Sequence, residues 1–466
     1  MKRKIEEKLL EWKNDPHRKP LLLLGARQVG KTYIVKDVFG PQNFRKVIYV
    51  DFRVDAQSRR FVKNHPDAKS IIEYLSLKWE TSIDENTLLF FDEIQEAVQI
   101  LTAAKYFCQD FPLIPVVMTG SLVRVKLKQL ESEHGSADGV RLDFEIEPKN
   151  QDGHNNFLFP VGKLDQIDLC PMTFDEFLFA AHPRLYEVVK KASDEKKPLE
   201  DETHNLAMEC FFDYLQVGGM PEAVALFLET KSAMKAQQVS RRIANDYLAD
   251  MGLYQLSSQA IFRSRMVYEN IYAQLNKENK NYKIAEIEKG KRLRDYLTPF
   301  DWLSLSRLIY RSFALKERVS LPLCPDNESI FRIYLPDCGL FANQSGINLA
   351  SFQESLKNNT LSGVFMENYV ACELKARGIP LFFWKGKTSS EFEFILSIGN
   401  DIVPLDVKKN RGSLKSLSVY RQLNRYSYSL KVSQNRYGYD EVNKIETIPF
   451  YAFPFYLEAL MRSGKL

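Results

Sequence analysis

Apolar residues in the first part of the chain fall into short uninterrupted runs: Leu21-Leu22-Leu23-Leu24, Val47-Ile48-Tyr49-Val50, Thr87-Leu88-Leu89-Phe90-Phe91 and Leu113-Ile114-Pro115-Val116-Val117-Met118. Runs of this length between polar turns predict buried strands. Between them the spacing turns helical: over 5–12, closed by Asn14-Asp15-Pro16; from Asp67 to Trp79 with Ile71, Ile72 and Leu75; and from about 96 to 110. A strand at about 165–170 and a capped helix from Pro171 to Leu178 extend the series. Strands alternating with helices imply a parallel sheet, with its ligand beyond the carboxyl ends of the strands.

Elsewhere the pattern differs. From Glu131 to Asn156, Ser, Asp, Gly, Asn and His dominate, and Val140, Leu142, Phe144 and Ile146 alternate with charged residues, predicting a strand within an exposed flap. His134 and His154 lie in this polar stretch and are assigned no role. Residues of about 175–255 read as helices with a charged linker around Lys190-Lys191 and Asp194-Glu195-Lys196-Lys197. Between about 260 and 345 the order is helix (Met266 to Leu275), short helix (Ile284 to Glu288), the basic run Lys289-Gly290-Lys291-Arg292-Leu293-Arg294, helix (Phe300 to Ile309) and two strands. That order suits a winged helix. The last part reads as a helix from Gly363 to Leu374, then strands over Pro380–Trp384, Glu391–Leu396 and Ile402–Lys408. On the helix Val364, Val370, Ala371 and Leu374 lie toward one side, with Glu367 expected to point elsewhere.

Directly behind the leucine strand stands Gly25-Ala26-Arg27-Gln28-Val29-Gly30-Lys31-Thr32, a Gly-x-x-x-x-Gly-Lys-Thr loop that opens onto an apolar helix. Gly25 and Gly30 let the backbone turn until its N–H groups converge on a phosphate chain. Lys31 reaches the β/γ oxygens, and the Thr32 hydroxyl holds Mg²⁺. The expectation is a nucleotide site formed by residues 25–32.

The third strand ends in Asp92-Glu93. A carboxylate in that place orients Mg²⁺, here through a water, and its neighbour Glu93 polarises an attacking water. This favours a hydrolase over a small-molecule kinase. Thr119 and Ser121, at the tip of the next strand, offer a hydroxyl that senses the γ-phosphate. The expected catalytic set is Lys31, Asp92, Glu93 and Ser121, with Thr32 and Asp92 on the metal.

Period-two alternation in the last strands puts Glu391 and Glu393 on one face, and Asp406 and Lys408 on one face. Acid, then acid-x-Lys on the neighbouring strand, is the PD-(D/E)xK pattern. Glu393 and Asp406 would hold Mg²⁺ against a scissile phosphate and Lys408 would steer the water, with Glu367 a further ligand. Glu393 stands where Asp is usual and Asp406 where Glu is usual, changes that move ligand length in opposite directions. Two readings stay open: a domain that cuts nucleic acid, and a nuclease-shaped domain that only binds.

Taken together, the phosphate loop, Leu88-Leu89-Phe90-Phe91-Asp92-Glu93-Ile94-Gln95, the Val116–Ser121 strand, the Pro160–Leu178 segment and Gly218-Gly219-Met220-Pro221-Glu222 resemble a family of uncharacterised bacterial and archaeal AAA-type ATPases. Those proteins carry a C-terminal restriction-endonuclease-like domain of unknown function. Arg332–Leu340, Phe365–Tyr369, Glu391–Phe394 and Pro404–Lys408 agree with it, so the resemblance spans nearly the whole chain.

The resemblance implies ATP and Mg²⁺ as cofactors and a multidomain α/β protein. Its parts would be a parallel-sheet P-loop ATPase core (1–178, with an insertion over 131–158), a helical lid (179–258), a winged-helix-like module (259–348) and the restriction-endonuclease-like domain (349–466). Lys163 stands where many relatives have an arginine suited to transition-state charge. Arg241 and Arg242 are alternative phosphate sensors.

Composition narrows the partners. A net charge of +4 over 466 residues does not mark a nucleic-acid binder, so any DNA contact must come from local clusters such as 289–294. DNA is the expected partner of 259–348 and 349–466, with a protein partner or homo-oligomer as the other prospect. Six scattered cysteines without a CxxC pair read as reduced thiols. No apolar run approaches the roughly 18 residues of a membrane span, and a cytoplasmic location is expected.

Overall fold

The computed structural model describes residues 1–127, 162–254, 257–347, 352, 354, 362–386, 390–408 and 414–466. The expected flap and its histidines lie outside the described residues. The chain forms two compact units, residues 2–169 and residues 170–466 together with Met1.

The first unit is built on five parallel strands, β1 (Leu21–Leu24), β2 (Lys46–Asp51), β3 (Thr87–Asp92), β4 (Val116–Gly120) and β5 (Asp165–Asp168), in the order β2-β3-β4-β1-β5. β1, β3 and β4 are buried at every position, which is why they read as continuous apolar runs rather than alternating ones. Register aligns Leu24 with Gly120 and Asp51 with Asp92, so the polar residues closing the strands emerge at one edge of the sheet. On one face Ile71, Leu75, Ile100, Leu101, Ala104 and Phe107 pack onto Leu22, Ile48, Leu89 and Met118.

Two helices here are capped as their sequences dictate. Asp55 accepts from Ser58 N at 3.0 Å before Ala56–Asn64, and Asp67 from Ser70 N at 2.8 Å before Ala68–Lys78. The helix expected from 96 begins later. A 3₁₀ turn, Ile94–Glu96, intervenes before Gln99–Asp110, because Glu93 leaves the strand with φ 51°.

The second unit opens with helices Phe174–Ala181, Pro183–Asp194, Asp201–Val217, Pro221–Thr230 and Ala233–Tyr254. Thr173 and Glu176 form a capping box at the start of the first, three residues later than expected from the apolar pattern. The Gly218-Gly219 turn is a close-approach point: a Cβ on Gly219 would lie 2.0 Å from Met172 O. Gly219 N donates to buried Asp337 at 2.6 Å, joining two of the motifs singled out in the sequence.

Two sheets follow. β6 (Tyr310–Ala314) and β7 (Phe331–Tyr334) pair antiparallel as a wing would, but β6 also pairs in parallel with β8 (Phe382–Lys385), which pairs with β9 (Glu391–Phe392). That sheet therefore draws strands from both sides of position 348. The other runs β10 (Phe394–Ile398), β11 (Asp401–Val407), β12 (Ser429–Ser433), β14 (Ile445–Pro449), β13 (Gly438–Asp440), with β11, β12 and β14 parallel. The single strand expected over 391–396 is broken at Glu393.

Candidate functional site

The loop after β1 turns through two left-handed residues, Gln28 at φ 64° and Gly30 at φ 92°. A side chain at Gly25 would meet Leu169 O at 2.4 Å, so the first glycine is required by close packing and the second by its backbone angle. The chain then enters a helical turn at Lys31–Tyr33 that widens to π-helix over Ile34–Phe39. Arg3, buried near the chain start, donates to Val29 O at 3.4 Å and braces the loop from behind.

Lys31 is buried and its ammonium donates to Gly25 O (3.0 Å), Ala26 O (2.7 Å) and Ser121 Oγ (2.9 Å). Thr32 Oγ1 donates to Asp92 Oδ2 at 2.6 Å. The other oxygen, Oδ1, accepts from Thr119 Oγ1 and from Glu93 N at 2.9 Å. β1, β3 and β4 thus deliver lysine, threonine, aspartate and two further hydroxyls to one spot at the sheet's carboxyl edge. A hydroxyl and a carboxylate within 2.6 Å of each other, beside an ammonium, form a donor set that fits Mg²⁺ and a phosphate chain.

Two neighbours were not legible as site residues. Tyr49 on β2 donates its hydroxyl to Asp92 Oδ2 at 3.3 Å, and burial, then the charge of Asp92, raises its pKa. Its place two residues before Asp51 on a strand adjacent to β3 was the available signal. Gln95, buried, donates its amide to the Glu93 carboxylate. Glu93 itself is half-buried, and its nearest polar side-chain contact is this one rather than Asp92. Lys163 is half-buried on the turn before β5, and Arg242 is exposed and paired with Glu222.

In the second unit, Phe394 pairs with Leu405 across β10 and β11, and Glu393 stands immediately before β10, beyond that pair. Lys408 Nζ lies 2.8 Å from Glu393 Oε1 and 3.0 Å from Asp406 Oδ1. Glu393 Oε2 also accepts from Val407 N at 3.1 Å. Burial alone would raise the Glu393 pKa, but Lys408 and then Lys280 outweigh it and hold it below the usual carboxylate range. Asp406 moves the other way, upward, through burial and the adjacent Glu393 charge.

The expectation for Glu367 is corrected. Its carboxylate does not point away from the apolar side of its helix, Ser362–Ala376, but is 2% exposed. It is held by Arg332 (3.1 Å), Tyr334 OH (2.6 Å) and Lys280. Arg332 reaches on to Glu391 at 2.8 Å. The apolar stripe misled because a buried acid can lie among apolar residues when buried bases face it. Each carboxylate of the cluster already has a basic partner. Among the described residues no group of three or more His, Cys, Asp or Glu is arranged to hold a metal ion.

The five-stranded parallel sheet with its glycine-rich turn after β1 is consistent with a P-loop AAA domain. In agreement, residues 17–150 match the family model of an AAA domain, which supports an ATPase-type N-terminal domain. Residues 208–351 and 362–452 match two domains of unknown function, DUF8612 and DUF4143. No curated protein matches the chain. Among the described residues no helix is long and apolar enough to cross a membrane.

Proposed function

We propose that this chain is a Mg²⁺-dependent ATPase of the AAA type that acts as a nucleotide-controlled switch, with residues 170–466 as its output. The reading rests on one observation: at the carboxyl edge of the sheet Lys31 is hydrogen-bonded to Ser121, and Asp92 to both Thr32 and Thr119. In this reading the backbone N–H groups of residues 25–32 and the Lys31 ammonium bind the β/γ-phosphates. Thr32 and Asp92 would hold Mg²⁺, which supplies charge neutralisation at the phosphates. Glu93 accepts the proton of the attacking water. Ser121 and Thr119 change partners when the γ-phosphate arrives and leaves, because each is already bonded to a group that the nucleotide engages.

For the output, we propose a docking role for 259–348, in the winged-helix manner, and nucleic acid as its partner through the exposed Lys289, Arg292 and Arg294. For the restriction-endonuclease-like domain, the matched charges around Glu393, Asp406 and Glu367 favour binding without cutting. The test of the ATPase reading is phosphate release. Glu93→Gln is expected to bind ATP as the wild type does and to lose turnover by about 100-fold or more; hydrolysis at the wild-type rate would remove Glu93 from the mechanism.

A further inference from the structure

The phosphate site leaves one buried polar side chain unused. Gln95 is 7% exposed and stands in the 3₁₀ turn Ile94–Glu96, directly after the fully buried Ile94, and its amide donates to the Glu93 carboxylate. Its carbonyl oxygen is buried and has no hydrogen-bond partner among the described residues. That oxygen lies against the tip of β4: a Cβ on Gly120 would come within 2.6 Å of it. Gly120 precedes Ser121, which accepts from Lys31. Glu93, meanwhile, holds a left-handed backbone at φ 51° and ψ 46°. For a residue with a side chain this is a strained conformation that persists only where the surrounding structure enforces it.

From this the geometry points to Gln95 as the positioning residue of the ATPase reaction, fixing the Glu93 carboxylate and packing it through Gly120 against the strand tip that carries Ser121. The inference rests on the reading of Glu93 as the water-activating acid. A carboxylate on a short turn samples several rotamers; a buried amide donor selects one. The strained backbone at 93 and the amide at 95 then form one device, the first aiming the side chain and the second holding it. Gly120 is small because Val123 and the Gln95 amide oxygen together occupy the space a side chain would take.

The test uses the full chain and compares steady-state hydrolysis with affinity for a non-hydrolysable ATP analogue. Gln95→Leu keeps the volume and removes the donor; kcat is expected to fall roughly tenfold or more while analogue affinity stays within about twofold. Gly120→Ala, which must displace the amide, is expected to reproduce the kcat loss with affinity retained. Wild-type kcat in Gln95→Leu, or a parallel loss of affinity and kcat, would overturn the inference. If Glu93→Gln is inactive while Gln95→Leu turns over normally, only this inference fails. If Glu93→Gln is itself active, the reading beneath it fails.

Discussion

Thr32 donates its hydroxyl to the Asp92 carboxylate across 2.6 Å, linking the residue after the phosphate-loop lysine to the last residue of β3. Asp92 serves three hydroxyls, those of Thr32, Thr119 and Tyr49, besides the Glu93 amide. Removing it leaves those donors without their acceptor in a buried place. Asp92→Ala is therefore expected to cost about 1–3 kcal/mol of stability in the absence of ligand, measurable by urea unfolding. It should also abolish the Mg²⁺ dependence of ATP affinity. An unchanged Mg²⁺ dependence would mean that Asp92 does not hold the metal.

Arg332 lies at the centre of the ionic network in the second unit, 1% exposed and bonded to Glu367 and Glu391. Its removal strands a buried carboxylate with only Lys280 and Tyr334 in support. Arg332→Leu should destabilise the second unit by about 3–5 kcal/mol, read as a drop in thermal midpoint. Arg332→Leu combined with Glu367→Leu should recover part of the loss, since the orphaned charge is then gone.

Asp337 gives a pH signature. Burial raises its pKa to about 6, although backbone N–H groups of Leu340, Gly219, Gly339 and Met220 pull it back down. With the folded value above the unfolded one, the folded state holds the extra proton between the two. The contribution is full below about pH 4, the unfolded range, and is lost as pH rises through about 6. The difference in Tm between wild type and Asp337→Asn is expected to be larger at low pH than at pH 7, and a pH-independent difference would contradict the assignment.

The C-terminal cluster separates two outputs. With Lys408 bridging Glu393 and Asp406, the account predicts no Mg²⁺-dependent nicking of plasmid DNA beyond that of Asp406→Ala and Lys408→Ala. Cleavage by the wild type that both substitutions abolish would establish a nuclease and displace the binding reading.

What could be read from sequence follows from which interactions are local. The leucine strand, the phosphate loop and the acids closing β3 announce themselves because each function needs fixed residue types at fixed spacing. The caps at Asp55 and Asp67 are likewise contacts over three residues. Tyr49, Lys280 and Arg332 were invisible in their roles, since each acts on a carboxylate 43, 87 and 35 residues away. Glu367 was misplaced for the same reason: nothing near it in the chain reveals the bases that face it. Gln95 was within reach, two residues from Glu93, but an amide in a turn carries no motif of its own.

The loop after β1 and the acid ending β3 carry the proposed nucleotide site. Titration of the purified chain with ATP and Mg²⁺, followed by unfolding free energy, tests it most directly. At ligand about 100-fold above Kd the wild type should gain roughly 2.7 kcal/mol and Lys31→Ala nothing. Equal stabilisation of both proteins, or none of either, would contradict it.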